Sequence, residues 1–195
     1  VNRSNSLGEL TRLADQYQTD KGSKLHHYTE VYECFLSPMK ASALKICEIG
    51  ILEGASLHMW ADYFPNATIH GIDIQDASRL NSDHIMTFVC DQSDRKQLEA
   101  FANASGSNFD LILDDGGHSM EQQQVSLASL FRLVKPGGFY ILEDVHSSLQ
   151  DNYGVEPGEG NSTLTMINLF VRSGKMQSKY MTLEERQYLD SQISF

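Results

Sequence analysis

From residue 44 onward, short apolar runs alternate with segments of helical length. The runs are LKICEIG, TIHGIDI, IMTFVCD, FDLILDD and GFYILED, and the helix-length segments between them are 55–64, 93–103 and 119–134. Runs that are apolar on both faces suit strands with no solvent side, so the pattern predicts a parallel sheet covered by helices on both faces. The expected class is α/β, doubly wound. Ahead of this region Leu7, Leu10 and Leu13 fall at helical spacing, and after the polar knot YQTDKGSKLHHYTEVY that spacing resumes at Val31, Tyr32, Phe35 and Leu36. Beyond it, residues 151–163 (DNYGVEPGEGNST) have loop composition suited to a flap over a site. Leu164, Ile167 and Leu169 to Val171 predict a helix. TLEERQYLD predicts a shorter one capped by Thr182 with Glu185 three residues on, and SQISF the opening of a strand. A single domain is expected over 1–195: a helical preface at 1–40, a core at 41–150, and a flap with C-terminal helices at 151–195.

Composition narrows the partners. A formal net charge of −11 sets the average field against phosphate backbones and anionic lipid surfaces, so neither nucleic acid nor membrane is an expected partner. Cys34, Cys47 and Cys90 are odd in number, lack a C-x-x-C spacing and sit in apolar stretches, which predicts buried reduced thiols and a cytoplasmic setting. The first residues lack the apolar centre of a secretion signal, and no run approaches the roughly 20 apolar residues of a spanning helix. The chain begins with Val, so trimmed ends are an expectation as well.

In an open parallel sheet, ligands bind outside the carboxyl ends of the strands, where strand order reverses. The first predicted strand ends in CEIGILEGAS, which places Glu48, Gly50, Gly54 and Ser56 in a tight glycine turn leading into a helix. There the backbone can approach a ligand closely and the helix N-terminus has free N–H groups. The G-x-x-x-G spacing departs from the dinucleotide fingerprint and counts against NAD. Asp73 ends the second strand where an acid can accept both hydroxyls of a ribose; Asp91 and Gln92 end the third, within reach of an adenine ring. Asp115 ends the fourth strand, and Glu143 and Asp144 end the fifth. With adjacent strands about 4.8 Å apart, these three carboxylates can converge. Like charges so packed need a cation, and an all-oxygen set favours Mg²⁺, or otherwise Mn²⁺ or Ca²⁺. The alternative is bland: Asp114 and Asp115 cap the helix starting near His118 or Ser119, while Glu143 and Asp144 stay solvated.

The glycine turn with Asp73 and Asp91 resembles the class I S-adenosylmethionine-dependent methyltransferases, a Rossmann-like fold. TDKGSKLHHYTEVY, EIGILEGASLHMW, GIDI, CDQSD, LDDGGHSMEQQ and LEDVHSS together resemble, over residues 15–150, the metal-dependent sugar O-methyltransferases of macrolide and other glycosylated natural-product pathways, the mycinamicin type. The resemblance implies S-adenosyl-L-methionine and Mg²⁺ (or Mn²⁺) as cofactors and a small hydroxylated, glycosylated acceptor. Asp115, Glu143 and Asp144 become metal ligands, and His118 the general base. Glu48, Gly50, Gly54, Ser56, Asp73, Asp91 and Gln92 line the cofactor pocket, with Asp114 near the methionine end, while Tyr28 and the Thr19–Lys21 knot close over it. The resemblance also implies a homo-oligomer, and a C-terminal antiparallel hairpin that would begin about where this sequence stops. Gly117 stands where relatives often carry Ser. Two rivals remain: a catechol or phenol O-methyltransferase, and a catalytically inactive cofactor-binding scaffold.

Overall fold

A computed structural model describes residues 7–155 and 160–193. Five strands form one sheet in the order β3-β2-β1-β4-β5: β1 (Lys45–Ile49), β2 (Thr68–Asp73), β3 (Ile85–Val89), β4 (Phe109–Asp114) and β5 (Val134–Leu142). Every pairing is parallel. The order runs outward from β1 through β2 to β3, then restarts at β4 on β1's other side. The crevice where ligands bind in such sheets therefore opens at the C-terminal ends of β1 and β4.

Burial follows position in the sheet. All six residues of central β4 are buried, whereas edge strands β3 and β5 are largely half-buried or exposed. Side chains alternate faces along each strand, so Ile46 joins one core and Cys47 the other. The first core lies under α1 (Glu9–Tyr17), α2 (Tyr28–Leu36) and α3 (Ala55–Tyr63) and contains Leu10, Tyr32, Leu57 and Trp60. The second lies under α4 (Arg95–Ser105) and α5 (Met120–Leu130) and contains Leu98, Phe101 and Val125. A third, smaller cluster packs α6 (Thr163–Ser173) and α7 (Leu183–Gln192) against α5 through Ala128, Met166, Phe170 and Leu189. Fully burying a side chain the size of Leu57 contributes roughly 1.5–3 kcal/mol.

Several expectations need correction. The apolar stripe of the preface is only half used: Leu10, Ala14, Tyr32 and Leu36 are buried, but Leu7, Val31 and Phe35 are exposed. Cys34 is exposed too, on the outer side of α2, while Cys47 and Cys90 are buried; all three are free thiols. The fifth strand starts earlier than the run GFYILED: KPGG lies inside β5, where the pairing with β4 shifts register between Phe109 and Leu111. Ser191 and Gln192 end α7 instead of opening a strand, and residues 194–195 lie outside the described residues, as do 156–159 of the expected flap. The α7 start is as the spacing predicts, with Thr182 and Glu185 forming a reciprocal capping box. Among the described residues, no helix is long and apolar enough to cross a membrane.

Candidate active site

The C-terminal ends of β1, β2 and β4 open into a cavity of about 790 Å³. Gly50 follows β1 at φ +89°, and a Cβ there would stand 2.2 Å from the Asp115 carbonyl oxygen, so only glycine lets this loop pass the end of β4. Asp73 holds the loop from the other side. Its Oδ2 accepts from the N–H groups of Ile51 (2.8 Å) and Leu52 (3.2 Å), and its Oδ1 from Gln75 N–H (2.9 Å). The loop ends at Gly54, from which α3 starts with no side-chain cap. Amide groups of the first turn are thus offered to a ligand beside Ser56, which lines the cavity.

Gln92 ties the cavity floor to the interior. Its Nε2 donates to Asp114 Oδ1 at 3.0 Å and its Oε1 accepts from Gly117 N–H at 2.5 Å. Asp114 points into the core, where Ser126 and Tyr140 donate to Oδ2. Burial pushes its pKa up to about 6 against the pull of those hydrogen bonds. Neither Asp114 nor Asp115 caps α5; Ser119 does, with Gln122 returning the bond. Asp91 turns to its own loop and accepts from Ser93 N–H and Oγ.

Of the cofactor residues expected from sequence, Gly50, Ser56, Asp73 and Gln92 line the cavity; Gly54, Glu48, Asp91, Asp114 and Tyr28 do not. Glu48 is fully buried, with Lys21 Nζ 3.7 Å from its Oε1. Burial raises its pKa to about 7, with Lys21 opposing.

Next to the glycine loop, Asp115, His118 and Asp144 each offer a ligand atom, all within 4.8 Å of one another. His118 Nε2 lies 3.5 Å from Asp144 Oδ2. Asp144 sits at φ +53°, a conformation that costs a non-glycine residue energy and that its surroundings must hold. Tyr28 contributes to that hold, its hydroxyl donating to Asp144 Oδ1 at 2.6 Å. Glu143 is placed differently from the other two acids of the expected ligand set. Its Oε2 accepts from Lys21 Nζ at 3.0 Å and its Oε1 from the Tyr32 hydroxyl.

Lys21 is the residue that sequence reasoning undervalued, naming it only as part of a closing knot. Its side chain is 1% exposed, and its ammonium contacts Asp115, Glu143 and, at 3.7 Å, Glu48. Burial works against its charge, but Glu48, Glu143 and Asp115 outweigh burial and hold it charged well above the usual lysine range. Tyr32 went unnoticed as a site residue. The available signal was the i, i+4 spacing of Tyr28 and Tyr32, which sets both hydroxyls on one helix face.

Residues 47–145 match the family model described as a methyltransferase domain. The chain is 34% identical over 168 residues to the demethylmacrocin O-methyltransferase of Streptomyces fradiae, covering 83% of this chain and 42% of that protein. It is 33% identical to the mycinamicin VI 2''-O-methyltransferase of Micromonospora griseorubida, covering 80% of this chain and 41% of the relative. The chain thus spans less than half the length of these curated relatives. Among solved structures, the MycE methyltransferase from the mycinamycin biosynthetic pathway, in complex with Mg, SAH and mycinamycin VI, superposes with a TM-score of 0.82 at 27% identity, covering 94% of this chain and 50% of that one.

Proposed function

The chain belongs to the methyltransferase domain family, and from that premise we propose that it transfers a methyl group from S-adenosylmethionine to a hydroxyl of a sugar or glycosylated natural product, with Mg²⁺ as the activating ion. The observation that carries this reading is the adjacency of two features: the cavity under the Gly50 loop and the Asp115–His118–Asp144 cluster, all of which border one space. The glycine-lined loop and the buried Glu48 carboxylate behind it fit the cationic cofactor. The carboxylates of Asp115 and Asp144 fit a divalent ion with the imidazole beside them, and Glu143 is next to Asp144 in the chain and reaches Lys21.

When bound, S-adenosylmethionine supplies an electrophilic methyl group and a divalent ion lowers the pKa of a hydroxyl beside it by several units. The chain's own residues do the rest. Gly50 and Asp73 shape the loop that seats the cofactor, and Asp115 and Asp144 are the residues that would hold the ion. His118 takes the hydroxyl proton on a ring nitrogen, a role worth roughly 10² to 10⁴ in rate. Held in line, the acceptor needs little further chemistry from the protein beyond orientation. An acceptor with two adjacent hydroxyls would offer a divalent ion there two oxygens.

The test is turnover by chelator-stripped protein, with Mg²⁺ added back, on a vicinal-diol glycoside and on a catechol. Mg²⁺-dependent methylation of the glycoside is expected. Undiminished turnover without the ion would remove the metal; preference for the catechol would favour a phenol-type enzyme. Cofactor binding without turnover on either acceptor would favour a scaffold.

A further inference from the structure

Between Asp115 and Ser119 the chain crosses Gly116 and Gly117 and then presents His118. A stretch with so little side chain keeps its shape only where its backbone is held. The Asp115 N–H donates to the Ile49 carbonyl of β1 at 3.0 Å, and the Gly117 N–H donates to Gln92 Oε1 at 2.5 Å. Gly117 directly precedes His118, so the second bond sets the peptide from which the imidazole leaves the backbone.

Gln92 is built to hold that amide. It is 5% exposed, and its Nε2 faces two oxygens, Asp114 Oδ1 at 3.0 Å and Ser126 Oγ at 3.4 Å. Asp114 is fixed in turn by bonds from Ser126 and Tyr140. Flipping the Gln92 amide would set its oxygen against a carboxylate, so Oε1 stays turned to Gly117. The loop is shaped around it: a Cβ on Gly116 would stand 2.1 Å from that same oxygen.

We propose that Gln92, besides bordering the cofactor cavity, is a positioning residue for His118: a strut between Asp114 and the Gly117 amide that fixes the direction of the imidazole relative to Asp115. This deepens the reading above and rests on it. Gln92 then acts on the step in which the acceptor loses its proton, through the backbone of a neighbouring loop.

The experiment measures turnover of a vicinal-diol glycoside and affinity for S-adenosylhomocysteine. Gln92→Leu is expected to lower kcat at saturating S-adenosylmethionine and Mg²⁺ by about 10²-fold, with S-adenosylhomocysteine affinity within about threefold of wild type. In a His118→Ala background the same substitution should change kcat no further, since residues that act through one another are not additive. Gln92→Glu should also lower kcat, by setting two carboxylates together. Adding Asp114→Asn to it exchanges donor and acceptor: the amide at position 114 donates to the carboxylate at 92, whose other oxygen accepts from Gly117. Most of kcat should return. Exchange of the Gly117 amide hydrogen, followed by NMR, should be slow in wild type and in the double variant and fast in Gln92→Leu.

Unchanged kcat in Gln92→Leu, an equal further loss in the His118→Ala background, a double variant no better than Gln92→Glu, or a Gly117 amide that exchanges at the wild-type rate in Gln92→Leu overturns the inference and leaves the methyltransfer reading standing. A loss confined to cofactor affinity overturns it too and assigns Gln92 to cofactor binding alone. Wild-type protein without turnover on the glycoside, or His118→Ala as active as wild type, defeats the reading itself and this inference with it.

Discussion

The Tyr28 hydroxyl donates to Asp144 Oδ1 at 2.6 Å, joining residues 116 positions apart in the chain. Asp144 holds a left-handed backbone conformation at the end of β5, so its carboxylate depends on this bond for direction. Tyr28→Phe removes the hydroxyl and little else. A hydrogen bond to a charged group is worth roughly 1.5–3 kcal/mol, so Mn²⁺ affinity is expected to fall about tenfold or more. S-adenosylhomocysteine affinity should stay within about twofold of wild type, since Tyr28 does not line the cavity. Calorimetric titration of both ligands checks this; an unchanged Mn²⁺ affinity would show that Asp144 is held by other contacts.

His118→Ala should lower turnover by roughly 10² to 10⁴ while the cofactor still binds. His118 also stands within ligand reach of Asp115 and Asp144, so its two possible roles need separating. If it is the base, His118→Ala retains Mn²⁺ affinity while turnover falls. If it is a ligand, Mn²⁺ affinity falls along with turnover.

Gly50→Ala is expected to be among the most damaging small substitutions. The backbone conformation alone costs a non-glycine residue roughly 1–3 kcal/mol, and the new methyl would meet the Asp115 carbonyl 2.2 Å away. Both the urea midpoint and cofactor affinity should drop. A variant as stable as wild type would mean that the β1–α3 loop can move away from β4.

A pH effect on stability should come from His70, which is remote from the site. It is buried between the faces and edges of Phe88 and Phe109, with Nδ1 unpartnered, and burial pushes its pKa down to about 4. Between pH 6.5 and about 4 the unfolded chain binds a proton there that the folded chain refuses, so folding stability from this group is full above pH 6.5 and is lost as pH falls through that window. The loss is on the order of 1–3 kcal/mol. Urea unfolding at pH 7.5 and pH 5 should show it, and His70→Phe should flatten the dependence. An equally steep dependence in the variant would assign it to the acids instead.

Much of the fold was legible because its signals are local. Period and length separate the apolar runs of β1, β2 and β4 from the helical segments, and Thr182 with Glu185 announced the start of α7 within four residues. Val31 and Phe35 misled for the opposite reason: helical spacing marks an apolar face but cannot tell whether anything covers it, and both are exposed. The run GFYILED misses the start of β5 because Pro and Gly, as in KPGG, also occur where a strand breaks register.

The sequence by itself determined the parallel α/β layering, the glycine loop after β1 and the placing of Asp115, Glu143 and Asp144 at one sheet end, since a strand's last residues must lie on the rim that topology assigns them. Only the tertiary structure decided how charge is divided there. Lys21 reaches Glu143 across 122 residues and leaves Asp144 to Tyr28 and His118. Which acid meets which cation depends on distances between segments far apart in the chain, and those distances are set by how α1 and α2 pack on the sheet.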